Sequence, residues 1–521
     1  MMRNHKVKIF LFLLILLGGI FRFYNLNWGH PFYFHPDERN IAASVLQLNF
    51  PNQMNPHFFA YGSFPIYLIY FTGIILNLFF KSQDLFIQAI LISRFYSAIL
   101  SLLLIPSIYF IGKKLFDKKI AIYAAILSTL SIGFIQFSHF GTFEMWLTFL
   151  GLWFFYFSLK LIKDSNSKNT ITIGIIFGLL IATKVSSLPL LIIPIMVIYL
   201  HVISKKNAIF KLSSILYVSL IVFTITSPYV LFDYSSFISS LKYEYSVVAG
   251  TLPVFYTGEF FNSIPIIFQF TKIYPFLINP ILTIIFIPSF FYLNFKVIKT
   301  KNLQSLLLIV FYLILFLPQA FLFAKWTRYM LPTLPFMYLM LAIFFDKFIN
   351  KKILNAIILI SIVFTLAYFI TAFVKQDTRI DASLRVKENI PPNSKVLSEV
   401  YDMGIVPFNR YLLNISLFNF YDLDQIPQIK SLELKEFLKK GEYIILPSPR
   451  ILKTRLTNKN KFPNGYKFYS ELISGRLGYE KVYETSCDIF CKISYLGDPI
   501  FSFEQTANVF DRPTIFIFKK I

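Results

Sequence analysis

The chain has 521 residues, 56% of them hydrophobic, with a formal charge of +23 and a mean hydropathy of +0.61. Its many long apolar runs exclude a soluble globular protein and indicate a polytopic membrane protein. The charge does not indicate nucleic acid: the lysines cluster in short gaps between apolar runs, which is the positive-inside pattern of cytoplasmic loops.

The N-terminus carries Arg3, Lys6 and Lys8, and the first apolar run is Val7–Leu26. The run exceeds a signal-peptide core and no small-residue cleavage site follows, so it reads as an uncleaved first helix with a cytoplasmic N-terminus. It leads into Trp28–Asn40 (WGHPFYFHPDERN), which holds the first acidic residues, Asp37 and Glu38. Ile41, Val45 and Leu48 then recur near helical spacing, predicting a short interfacial helix. Residues 64–80 are barely long enough to span. Charge parity decides their reading. Ile92–Ile111 spans, and Lys113, Lys114, Lys118 and Lys119 follow it on the inside. Residues 64–80 are therefore expected to be interfacial or re-entrant, leaving about 28–91 as one outer segment.

Beyond that the runs alternate. Residues 120–137 go out, Ser138–Glu144 (SHFGTFE) lies outside, and 145–162 return. Residues 170–203 are too long for one span and break at Thr183–Pro189, which places Lys184 outside. Residues 212–229 go out to a mixed loop, 233–272, that carries Glu244 and Glu259. The runs 273–295, 303–323, 330–345 and 353–374 complete about eleven spans, with Ala324–Tyr329 (AKWTRY) outside. The predicted fold is thus a polytopic α-helical membrane module, 1–374, with an extracytoplasmic α/β domain, 375–521. In the latter, Lys395–Val400, Glu442–Leu446, Lys481–Glu484 and Thr514–Phe518 read as strands and Gln428–Lys440 as a helix. Cys487 and Cys491 lie in this domain; a local disulfide and two free thiols both remain open.

Ionisable groups at one membrane level mark functional sites by default. Asp37 suits a general base acting on an acceptor hydroxyl; its plain alternative is a helix N-cap. If the electrophile is a sugar carbon on a lipid phosphate, the leaving group is already good. One base and a cationic clamp then suffice, unlike the carboxylate pair of glycoside hydrolysis. Lys184 and Arg328 are the clamp candidates, with Arg94 and Lys325 behind them; the alternative for each is snorkelling to headgroups. Glu38, His139 and Glu144 are candidates for sugar, acceptor or divalent-metal binding, with Zn or Mn suited better than Mg; loop polarity is the alternative.

These residues resemble, in order, four motifs of the GT-C superfamily, nearest to the protein O-mannosyltransferases and the lipid A aminoarabinose transferases. They are His35-Pro36-Asp37-Glu38 after helix 1, Ser138–Glu144, Ala182-Thr183-Lys184, and Arg328-Tyr329-Met330-Leu331-Pro332. The second motif usually ends in Asp, where this chain has Glu144. The resemblance covers about 1–350. It implies that Asp37 is the catalytic base and that Lys184 and Arg328 contact the donor phosphate. It also implies an inverting transferase in a prokaryotic plasma membrane, moving a sugar from a polyprenyl phosphate to a protein, lipid or glycan acceptor. The competing class is a transporter or flippase. Neither internal repeats nor midplane charges, the usual marks of alternating access, are visible.

Overall fold

The computed structural model describes residues 2–80, 82–163, 166–201, 205–252, 254–400 and 406–521. The chain forms two compact units. One comprises Met1–Leu26, Asp37–Val248 and Leu277–Thr365; the other comprises Asn27–Pro36, Ala249–Phe276 and Leu366–Ile521.

Up to Phe369 the helices are α1 (Met2–Phe23), α2 (Pro36–Leu46), α3 (Ser63–Phe79), α4 (Leu85–Leu115), α5 (Lys118–Thr129), α6 (Ile132–Ser138), α7 (Glu144–Lys163), α8 (Ser167–Thr183), α9 (Ile192–His201), α10 (Lys205–Thr226), α11 (Tyr229–Phe232), α12 (Tyr234–Ala249), α13 (Tyr274–Leu277), α14 (Pro280–Thr300), α15 (Leu303–Phe321), α16 (Leu334–Phe348) and α17 (Lys351–Phe369). Short polar side chains start several of them by satisfying orphan amides. Asp84 accepts from Phe86 N and Ile87 N, Asp117 from Lys119 N and Ile120 N, and Asn302 from Ser305 N.

Among the described residues seven helices are long and apolar enough to cross a membrane, or eight if a bent pair counts as one span. The chain is a multi-pass membrane protein, but the expected count of about eleven is not reached on this measure. The shortfall lies in shorter apolar helices: Ser63–Phe79, Ser167–Thr183 and Val185–Leu200. Seventeen residues, as in α3 and α8, make roughly 25 Å of helix, less than a hydrocarbon core of about 30 Å. The bent pair is the predicted span 120–137, which divides into α5 and α6 at an angle of 52°. Arg22 of α1 serves that break. Its guanidinium donates to the Ser128 and Thr129 carbonyls at the end of α5, at 2.9 and 3.3 Å, and to Ser101 Oγ at 2.8 Å. It is fully buried, so it does not snorkel to headgroups as its place near the helix end suggests.

The second unit draws on three segments, whereas the sequence suggested one, 375–521. The Arg379 guanidinium lies 3.6 Å from the Phe34 ring centre, and Lys453 pairs with Glu259. Contacts of this kind tie the early segments to the late one. After α18 (Thr378–Asn389) come β1 (Lys395–Glu399), α19 (Val406–Asn409), β2 (Asn414–Phe418), α20 (Pro427–Lys440), β3 (Tyr443–Leu446), α21 (Arg450–Thr457), α22 (Pro463–Ile473), β4 (Tyr479–Glu484), α23 (Ile489–Ser494) and β5 (Phe516–Lys520). The sheet order is β2-β1-β3-β5-β4, with β1 parallel to β2 and β3, and β5 antiparallel to β3 and β4. The four predicted strands are present; β2 was not foreseen. Its alternation is weak, with only Phe418 buried. Cys487 and Cys491 are joined in a disulfide.

Candidate active site

Pro36, with its fixed φ and missing amide hydrogen, opens α2, and Asp37 and Glu38 occupy its first turn. Consecutive helical residues point about 100° apart, so the two carboxylates go different ways. Glu38 turns inward and is buried. Its Oε1 accepts from Arg94 Nε at 2.9 Å and Gly141 N at 2.5 Å, and its Oε2 accepts from Arg94 Nη2 at 2.6 Å. Arg94 Nη1 donates to the Leu26 carbonyl at 2.7 Å. Gly141 is required here because a Cβ would lie 2.9 Å from Ser93 Cβ.

Arg94 therefore does not face a ligand. Its expected role as a donor-phosphate contact is replaced by a bidentate pair that fixes α2 against α4 and the loop before α7. Glu38, in turn, is consumed by that pair and is not presented to a sugar or metal.

Asp37 turns the other way. Its Oδ2 accepts from Tyr61 Oη at 3.0 Å and is ion-paired with Arg328 Nη1. Arg328 Nη1 also donates to Tyr61 Oη at 3.0 Å, closing a triangle. The side chains of Arg328 and Asp37 are 26% and 25% exposed, so a ligand can reach this pair, unlike the one between Glu38 and Arg94. Arg328 lies on a 3-10 turn, Thr327–Thr333, that leads into α16; its guanidinium carbon is 5.0 Å from the Trp326 ring centre, and its Nε is buried without a hydrogen-bond partner.

Lys184 joins this group because α8 ends one residue before it. Lys184 is extended, and a 3-10 turn containing Pro189 follows, where proline supplies no amide. Gly62 brings the chain of Tyr61 against that helix end. Its amide donates to the Thr183 carbonyl at 2.9 Å, and a Cβ there would sit 1.9 Å from the Ala182 carbonyl oxygen. Lys184 Nζ consequently lies between two rings, 5.4 Å from the Tyr61 centre and 5.0 Å from the Tyr329 centre. Burial first, and then the neighbouring Arg328, lower its pKa from the ordinary lysine value. Burial holds Tyr61 well above the usual phenol value, so it acts as a neutral donor.

Glu144, in the first turn of α7, is 2% exposed, and neither carboxylate oxygen has a hydrogen-bond partner. It acts electrostatically on Lys184 and Tyr61, so it belongs to the same site. Glu244 on α12 acts on Lys184 too, and burial raises its own pKa. A buried carboxylate with unsatisfied oxygens is costly, and hydroxyl donors from a ligand would offset that cost.

Of the sequence candidates, Arg94, Glu38 and His139 stay out of this group, and Lys325 Nζ donates to the Phe323 carbonyl at 3.2 Å. The His139 ring lies between two carbonyls, with Nδ1 2.8 Å from Ile135 O and Nε2 2.9 Å from Tyr24 O, and burial lowers its pKa to about 4. It is a structural histidine. Sequence reading missed Tyr61, Tyr329 as a wall of the lysine slot, and Glu244. Aromatics flanking apolar runs are common at membrane interfaces, so Tyr61 carried no distinguishing signal.

The expected divalent metal finds no ligand set. Among the described residues no three His, Cys, Asp or Glu side chains are grouped to hold an ion. Glu38 is occupied by Arg94, and both nitrogens of His139 face carbonyls. These residues do not fit a metal.

Residues 65–232, roughly a third of the chain, match the model of a family described as dolichyl-phosphate-mannose-protein mannosyltransferase. The matched stretch includes Arg94, His139, Glu144 and Lys184, but not Asp37 or Arg328. No curated protein matches the chain by sequence. Among solved structures, the ArnT of Cupriavidus metallidurans bound to undecaprenyl phosphate superposes with a TM-score of 0.52 at 12% identity, over 99% of this chain and 98% of that one. The oligosaccharyltransferase of Archaeoglobus fulgidus in complex with Zn and sulfate superposes with a TM-score of 0.50 at 12% identity, over 98% and 88%. The same enzyme tethered to an acceptor peptide with an NVT sequon gives the same values. The chain is thus a membrane protein that shares its fold with that ArnT and that oligosaccharyltransferase and matches the mannosyltransferase family model over residues 65–232.

Proposed function

We propose that this protein is an inverting glycosyltransferase that takes a sugar from a polyprenyl-phosphate donor and passes it to an acceptor on the outer face of a prokaryotic plasma membrane. The N-terminus is then cytoplasmic and residues 375–521 lie outside. The observation that carries this reading is the convergence of Asp37, Arg328, Lys184 and Tyr61 in one accessible cluster, beside the unsatisfied carboxylate of Glu144. The ArnT bound to undecaprenyl phosphate shares this fold, which supports a lipid-phosphate ligand.

In the reaction the acceptor hydroxyl oxygen attacks the sugar's anomeric carbon from the face opposite the phosphate. Its proton passes to Asp37 Oδ2 as the new carbon–oxygen bond forms. The bond from the anomeric carbon to the phosphate oxygen breaks, and its electron pair stays on the polyprenyl phosphate. Lys184 and Arg328 stabilise the charge that builds there. An amine acceptor follows the same course, with the nitrogen attacking and losing its proton to Asp37. Glu144 accepts hydroxyl hydrogens of the sugar and so orients the ring. Arg94 and Glu38 position α2, and with it Asp37. No step requires a metal.

Transfer of a radiolabelled sugar from its polyprenyl phosphate by the purified protein tests this reading. Wild-type turnover with none by Asp37→Asn supports it. Full activity in a folded Asp37→Asn protein, or an intact glycosyl bond after incubation with wild type, would falsify it.

A further inference from the structure

Arg328 cannot at once neutralise Asp37 and clamp a phosphate through the same nitrogen. Arg328 Nη1 is spent on Asp37 Oδ2 and Tyr61 Oη. A carboxylate held by a guanidinium and a phenol is stabilised in its charged form and accepts a proton poorly. Yet the guanidinium is not used up, since its Nε–H is buried without a partner. Such an unmet donor favours rearrangement toward an anion with several oxygens, which a phosphate is and a single carboxylate oxygen is not. Lys184, between the rings of Tyr61 and Tyr329, brings a second positive charge to the same place.

Resting on the transferase reading above, we propose that Arg328 is a donor-operated latch on the base. In the empty enzyme it holds Asp37 with Tyr61 as the bridge. The donor's phosphate draws Arg328 away toward itself and Lys184, and that movement frees Asp37 Oδ2 to take the acceptor's proton. The order of binding follows: donor first, acceptor second. The latch also keeps a strong base from activating water while no donor is present.

The consequence that can be measured is competition. Asp37 and a phosphate contend for one guanidinium, so removing the carboxylate's charge should tighten phosphate binding. Undecaprenyl phosphate, which carries no sugar and cannot react, is titrated into the full-length protein in detergent and its Kd read by calorimetry or tryptophan fluorescence. Asp37→Asn is expected to lower Kd about 5-fold relative to wild type, a change that corresponds to an easily resolved shift. Loss of a repulsive charge alone would also tighten binding, and a double-mutant cycle separates the two. In an Arg328→Gln background the gain from Asp37→Asn should shrink to the size that the repulsion control gives if the latch operates. An equal gain in both backgrounds, or no gain in either, overturns the latch and leaves the transferase reading standing. Glu244→Gln, which removes another carboxylate charge near Lys184, serves as the repulsion control and should give a gain that persists in the Arg328→Gln background. Asp37→Ala guards against a folding artefact and must tighten binding as Asp37→Asn does; if it does not, the latch falls. Absence of undecaprenyl phosphate binding by wild type removes the donor-phosphate reading of the site, and the latch with it.

Discussion

The Arg94 guanidinium closes on Glu38 with Nε on Oε1 at 2.9 Å and Nη2 on Oε2 at 2.6 Å, and both side chains are fully buried. Removing one partner leaves a lone charge in the protein interior, at a cost of about 3–5 kcal/mol. Arg94→Met and Glu38→Gln are each expected to lower the thermal unfolding temperature of the purified protein strongly. The double variant should recover part of the loss. If each single change leaves the melting curve unmoved, the pair is not the anchor of α2.

Asp37 sits one residue earlier and is the base in the reaction proposed above. Asp37→Asn is isosteric and keeps a residue suited to a helix start, so folding should survive. Transfer should drop about 10²- to 10⁴-fold, the usual worth of a positioned general base. Size-exclusion behaviour and melting temperature like those of wild type, alongside the lost turnover, would separate chemistry from folding.

Lys184 predicts a pH limit for donor binding. Its pKa is below the ordinary lysine value because of burial and then Arg328. The ammonium is present below that lowered pKa and is lost as pH rises through it, so donor KM should climb at a lower pH than a free lysine would allow. Lys184→Arg keeps its charge to higher pH and should carry the rise upward. Lys184→Met should raise donor KM at least about 10-fold at neutral pH, consistent with the loss of a charge-assisted contact. A KM profile that is the same for all three proteins would refute the assignment.

In the second unit, Glu399 at the end of β1 is buried, accepts from the Tyr469 hydroxyl on Oε1, and has no partner on Oε2. Burial pushes its pKa up to about 8, from 4.5 for a free glutamate. The folded state therefore holds a proton that the unfolded chain releases, and stability falls as pH rises from 4.5 toward 8. Glu399→Gln keeps the neutral shape and should flatten that fall. Denaturant unfolding at pH 5 and pH 8 reads the difference; an unchanged pH slope in the variant would show that Glu399 is not its source.

Much of this protein was legible in one dimension. Hydropathy and the lysine clusters report a multi-pass membrane chain, because desolvating backbone and charge is expensive wherever the chain goes. The short motifs around Asp37, Lys184 and Arg328 were visible for the same reason: charges beside apolar runs stand out. The break at Thr183–Pro189 was readable too, since residues 170–203 are too long for one span.

What one dimension does not carry is pairing. Arg94, Lys184 and Arg328 look alike as cations at helix ends, yet one is locked in a carboxylate, one sits between two rings and one spans the gap to Asp37. Likewise Asp37 and Glu38 are neighbours in sequence and opposites in role. Helical rotation sends one to the core and the other to an accessible cluster, and only the packing of α2 against α4 decides which. Tyr61 gained its meaning from Gly62, which lets the backbone press on the end of α8. Composition and local periodicity determined that there would be a membrane fold with charges at its margins. Tertiary contact decided which charge neutralises which, because electrostatic energy depends on distances between residues that the sequence sets far apart.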